Sequence, residues 1–95
     1  MKARKDDQGK MPWEKMRWTE LEQVVRVLEH GDNKYGIGNW KSFEPKEARW
    51  RYFSAIMRHL LSWWRGERFD KDSGLPHLAH AVASLLFLLW FDNNV

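Results

Sequence analysis

Pro76-His77-Leu78-Ala79-His80-Ala81-Val82-Ala83-Ser84-Leu85-Leu86-Phe87-Leu88-Leu89-Trp90-Phe91 is the stretch on which the fold of this chain turns. Proline suits a first helical turn, Ser73 just upstream can cap it, and no further helix breaker follows. After His80 the segment is apolar nearly all round, so it is expected to be the most buried element of the fold. The run from Ala81 to Phe91 is too short to cross a bilayer, which takes about 20 residues. The reading is therefore a core helix.

Working back along the chain, Glu67-Arg68-Phe69-Asp70-Lys71-Asp72 is a short acidic connection. A second helix is expected from Pro45 to Gly66, with Phe53, Met57, Leu60 and Trp64 as one apolar stripe. Tyr52, Ala55 and His59 lie on an adjoining face. Gly31 to Trp40 reads as a glycine-rich loop, and three glycines within it allow unusual backbone angles. A first helix is expected to open at Thr19, whose spacing to Glu22 is that of a capping box, and to stop at Gly31. Leu21, Val24, Val25 and Leu28 repeat at helical spacing, and Glu22 pairs with Arg26 on the wet face. Residues 1–12 show no periodicity and are expected to be a flexible arm before a single helical domain, 13–95. The fold class is all-α, a compact bundle of three main helices completed by oligomerisation.

The composition narrows the function. Ninety-five residues make one small domain, which buries roughly 60–65% of its unfolded surface and so calls for a supplement. There is no cysteine, which removes disulfides, thiolate metal sites and cysteine nucleophiles. A metal and a partner subunit remain. Seven Trp, five Phe and two Tyr exclude a disordered polar chain. The net charge of +3, from 16 basic and 13 acidic residues mixed along the chain, reads as a solvated surface and makes nucleic acid an unexpected partner. The charged N-terminus lacks the apolar core of a signal peptide, so a soluble, cytoplasmic protein is expected.

The candidate chemistry gathers around the third helix. His77 and His80 stand three apart on one helical face, and a short connection makes the second and third helices antiparallel neighbours. His59, two turns before the end of the second helix, then comes level with them, under Glu67 and Asp70. Histidines mixed with carboxylates are the ligand chemistry of a divalent metal. The blander reading is a set of hydrogen-bonded structural histidines with helix-entry acids. Lys34, Tyr35, Asn39 and Trp40 form a second group: a point charge for phosphate, an amide for a base edge, and rings for stacking. Arg58, beside His59, can meet an anion. No catalytic triad or phosphate-binding glycine loop is present.

These residues resemble a known family. Gly31-Asp32-Asn33-Lys34-Tyr35-Gly36, Asn39-Trp40-Lys41, Arg58-His59-Leu60-Leu61-Ser62-Trp63, Gly66-Glu67, Asp70, and the long run from Asp72 to Ala81 are similar to the phage N-terminal domain of dATP/dGTP diphosphohydrolases. The resemblance covers about residues 7–92. That family is in turn similar to the MazG-type all-α nucleoside triphosphate pyrophosphohydrolases, which bind Mg²⁺ through acidic residues and oligomerise. His77-x-x-His80 stands where those enzymes have Glu-x-x-Asp, which suits a softer metal.

The resemblance implies a metal-dependent hydrolase that converts deoxypurine nucleoside triphosphates to monophosphate and pyrophosphate. His59, Glu67, Asp70, His77 and His80 would hold the metal, Mg²⁺ or Mn²⁺ in the first place and Co²⁺, Ni²⁺ or Zn²⁺ in the second. Glu67 or Asp70 would serve as catalytic base. Lys34 and Arg58 would contact phosphates, and Tyr35, Asn39 and Trp40 the nucleoside. The alternatives are a phage accessory protein that binds or sequesters nucleotides without turnover, and an oligomeric interaction protein whose histidines only cap the bundle.

Overall fold

A computed structural model describes residues 2–94. Three helices carry the fold: α1 (Trp18–Tyr35), α2 (Pro45–Trp64) and α3 (His77–Asn94). Short 3-10 turns at Trp13–Lys15 and Asn39–Ser42 precede the first two. The fold is all-α, as expected. Helix α3 packs against both other helices, whereas α1 and α2 scarcely touch. A cleft therefore opens between α1 and α2, floored by α3.

Small side chains set these packings. Val24 and Val27 of α1 meet Ala79 and Ala83 of α3, with Leu21, Leu28 and Leu75 packed around them. Alanine at both α3 positions lets the two backbones approach closely. Six α3 positions are buried, against two on each of α1 and α2, so α3 is the most buried element as expected. Its apolar character nonetheless extends past the contacts available. Leu78, Val82, Leu85 and Leu89 lie exposed along its outer face. On α2 the stripe Phe53, Met57 and Trp64 is likewise exposed, and the adjoining face with Ile56, Tyr52 and His59 turns inward instead.

Helix boundaries differ from expectation in instructive ways. Helix α1 begins at Trp18, so Thr19 sits inside it and the capping box with Glu22 does not form; Arg17 is the cap residue and makes no side-chain cap bond. Arg26 pairs with Glu29 at 3.5 Å rather than with Glu22. The helix also runs through Gly31 to Tyr35. Glycine costs a helix interior only about 1 kcal/mol, and tertiary contacts offset this. His30 and Lys34, one turn apart, both reach Asp72 Oδ2, at 3.5 and 2.9 Å. Gly36, with φ 103°, ends the helix instead, and Asp32 Oδ1 accepts a bond from Gly38 N–H at 3.2 Å. The glycine loop thus shrinks to a few residues.

The connection between α2 and α3 is closely tied. Gly66 N–H donates to Trp63 and Glu67 N–H to Ser62, the paired bonds of a Schellman motif, with Gly66 at φ 99°. Gly66→Ala is expected to cost about 1 kcal/mol or more, since alanine resists that angle; urea unfolding of the variant measures it. The chain then folds back, with Phe69 bridging Pro76 and His77 N–H donating to Arg68. Helix α3 starts at His77, so Pro76 precedes its first turn and its carbonyl accepts from Ala79 and His80. Ser73 does not cap the helix, because its hydroxyl is engaged by Leu75 N–H and the His80 ring.

Candidate functional site

The antiparallel return of α3 along α2 brings three histidines together. His59 Nδ1 and His77 Nδ1 face one another at 2.8 Å. The His59 and His80 rings stack, with centroids 4.5 Å apart and planes 11° from parallel. Each residue owes its place to the local fold. His77 opens α3 directly after the Phe69–Pro76 bridge, and at 4% exposure it is one of the few buried polar residues.

Asp70 completes the group. One oxygen or ring nitrogen from each of His59, Asp70 and His77 lies within 4.8 Å of the others, the spacing of a metal ligand set. Asp70 Oδ1 is fixed by the backbone N–H groups of Asp72 and Ser73, at 3.0 and 2.9 Å. That turn holds the carboxylate still and leaves Oδ2 to meet another partner. Burial pushes the Asp70 carboxyl up, but the Ser73 N–H, the nearby His80 ring and the Ser73 hydroxyl together hold it below the usual carboxylate range. Burial, followed by the neighbouring His80 and His77 rings, lowers His59 to about 4. Asp70 is therefore ionised and His59 neutral at pH 7, the states a metal site requires.

Glu67 and His80 sit differently. Glu67 Oε2 lies 3.5 Å from His77 Nε2, the ring nitrogen other than the one that faces His59. It stands behind His77. His80 Nε2 is 2.6 Å from Ser73 Oγ. Because its ring lies parallel to that of His59, the in-plane lone pairs of the two rings do not converge on one atom.

The cleft between α1 and α2 has a volume of about 510 Å³, within the range of small-molecule sites. All five residues expected to contact substrate line it: Lys34, Tyr35, Asn39, Trp40 and Arg58. His59, Asp70 and His80 line it as well; His77 and Glu67 do not. Lys34 is paired with Asp72, whose hydrogen bond raises the lysine pKa and lowers that of the carboxylate. Arg58 makes no ion pair among the described residues and is exposed. Tyr35 is exposed, with the Lys34 ammonium 5.4 Å from its ring centroid.

Trp40 is less free. It stacks on Phe87 at 4.5 Å, meets Trp90 and Phe91 edge-on, and has the Lys41 ammonium 5.2 Å from its centroid. Its carbonyl accepts the Tyr52 hydroxyl at 2.9 Å, and burial pushes that phenol up to about 12. Trp40 is thus a wall of the cleft.

Sequence reasoning assigns no site role to three cleft residues. His30 and Asp72 join Lys34 in a bridge from α1 to the α2–α3 connection, and Arg51 lines the far side. The i,i+4 spacing of His30 and Lys34 was the available signal, hidden by the expectation that α1 stops at Gly31.

The family model described as dATP/dGTP diphosphohydrolase, N-terminal, matches residues 1–95. A protein of Salmonella phage PMBT28 named dATP/dGTP diphosphohydrolase is 38% identical over 90 residues, 95% of this chain. The chain spans 30% of the length of that relative. No solved structure matches. A match along the entire chain, and a relative aligned over nearly all of it, place the protein in a family: it belongs to the dATP/dGTP diphosphohydrolase N-terminal family.

Proposed function

We propose that the cleft binds a deoxypurine nucleoside triphosphate and that the protein hydrolyses it, with a divalent metal at His59, Asp70 and His77, to the monophosphate and pyrophosphate. One observation carries this reading: the cleft joins the cations Lys34 and Arg58, the exposed ring of Tyr35, and His59 with Asp70 in a single 510 Å³ space. The phage relative bears the name of that activity. Arg58 offers a fork suited to phosphate oxygens, and Lys34 a point charge once Asp72 is displaced. Tyr35 is open to stack on a base, and Asn39 to read its edge. Bound there, a divalent ion polarises a phosphoryl oxygen and lowers the pKa of water. Asp70 and Glu67 are the carboxylates on hand, the first in the cleft and the second behind His77.

The reading extends to assembly and location. Leu78, Val82, Leu85 and Leu89 repeat at spacings of four, three and four on the exposed face of α3, a seam that a second copy of this chain would cover. We expect a homo-oligomer. We place it in the cytoplasm, in keeping with the finding that no described helix is long and apolar enough to cross a membrane.

A second reading, binding without turnover, is favoured by His77 and Glu67 lying outside the cleft lining and by the chain spanning 30% of its relative. One assay separates the two. Purified protein with Mg²⁺ or Mn²⁺ is expected to convert dATP and dGTP to monophosphate and pyrophosphate, followed by ion-exchange chromatography. His59→Ala should slow this by roughly a hundred-fold or more. Binding of dGTP with no product formed would select the second reading, and neither binding nor product would end both.

A further inference from the structure

The neutral imidazole has one N–H and one lone pair, and the surroundings of His77 decide which nitrogen carries which. His77 Nε2 is buried and has no hydrogen-bond partner, yet Glu67 Oε2 faces it at 3.5 Å. A lone pair on Nε2 would meet the carboxylate oxygen with repulsion. A proton there gives the buried nitrogen a donor aimed at an acceptor, and a small rotation of the half-buried Glu67 closes the bond. The proton therefore belongs on Nε2, which leaves Nδ1 bare and turned to His59.

The other side of the ring then has a clear arrangement. His59 Nδ1, 2.8 Å away, donates its N–H to His77 Nδ1 when no ion is bound. A bound ion would take that proton's place at His59 Nδ1, and the proton would then sit on His59 Nε2. Two nitrogens each about 2.0–2.1 Å from one tetrahedral ion would lie about 3.3–3.4 Å apart, roughly half an ångström more than the observed spacing. Asp70 supplies the oxygen.

We propose that His59, Asp70 and His77 bind a divalent ion of the zinc class, zinc or cobalt(II) in kind, in preference to Mg²⁺, and that Glu67 is the positioning residue that keeps His77 Nδ1 bare. The proposal rests on the reading of this cluster as a metal site and is independent of whether nucleotide is hydrolysed. Two imidazoles and one carboxylate suit such ions, whereas Mg²⁺ demands oxygen donors and keeps its waters. The three ligands come from α2, the connection and α3, so the ion would also staple a domain in which no large side chain is fully buried among the described residues.

Titration of the metal-free protein with Co²⁺ tests this by visible absorption. One ion per chain is expected, with a band that Zn²⁺ abolishes and that roughly a thousand-fold excess of Mg²⁺ leaves in place. Zinc at roughly a hundred-fold excess over its Kd should raise the melting temperature by about 10 °C. His77→Ala should lose the band, and His59→Gln, at a less buried position, provides the same test if His77→Ala fails to fold. Glu67→Gln should weaken Co²⁺ affinity about 10–100-fold and Glu67→Ala by more, with unchanged helical circular dichroism.

No band, displacement by Mg²⁺, or wild-type affinity in both Glu67 variants would overturn the proposal. A band without nucleotide turnover upholds it and removes the hydrolase reading alone. Turnover with Mg²⁺ in a protein that gives no cobalt band does the reverse.

Discussion

Replacing Ala83 with leucine is expected to lower the melting temperature by roughly 5–20 °C and to weaken nucleotide binding along with it. Ala83 is 1% exposed at the point where α1 crosses α3, against Val24, Val27 and Ala79. Three extra carbons there must press on Val24 and Val27 of α1 or crowd the cleft, which Ala83 also lines. Overpacking of this kind costs about 1–3 kcal/mol, a large share of the roughly 5–14 kcal/mol available to a chain of this length. Relief comes from α1 moving away from α3 or from the leucine filling part of the cleft, and both act against a bound nucleotide. Helix α1 carries His30, Lys34 and Tyr35 into the cleft, so its displacement parts them from His59 and Asp70. Thermal unfolding by circular dichroism and dGTP binding by calorimetry check the two effects. A melting temperature within 2 °C or so of wild type would mean that the α1–α3 contact is looser than its geometry indicates. Leucine at exposed Val82, one residue earlier, is the control and should change little.

The same contact shows how far sequence reaches. Apolar spacing identified all three helices, and the short acidic connection foretold the antiparallel return that brings His59 beside His77 and His80. Those are local signals. The termini were less legible, because several were decided by partners distant in sequence. Gly31 looks like a stop until Asp72, forty-one residues on, holds both His30 and Lys34. Ser73 looks like a cap until His80 takes its hydroxyl. Periodicity also found the apolar stripe of α2 without revealing that it faces outward, since a stripe indicates a buried face but not what buries it. Within the histidine group, spacing gave neighbours but no ring orientations. That Glu67 stands behind His77, and that His80 lies parallel to His59, depends on rotamers that only packing sets.

Acidification is expected to destabilise the metal-free domain between pH 6.5 and about 4, with His59 as the main cause. Unfolded histidine titrates near 6.5. In the fold, burial and then the His80 and His77 rings lower His59 to about 4, with Arg58 adding to the effect and Asp70 opposing it. The folded state thus keeps His59 neutral over a range in which the unfolded chain takes up a proton, and acid favours the unfolded chain. The stability is fully present above pH 6.5 and is lost as pH falls toward 4. His80, lowered chiefly by burial, acts with the same sign. Asp70, held below its ordinary value, adds a further loss below about pH 4 as its carboxylate is protonated. Unfolding should take up roughly one to two protons in the upper window. Urea titrations with a chelator present, from neutral pH to pH 4, measure the slope. His59→Gln removes the principal titrating group while keeping a polar side chain, and should flatten the profile. A wild-type stability that stays level across this window would show that His59 and His80 accept protons within the fold, and would remove the electrostatic reason for their close stacking to favour neutral rings.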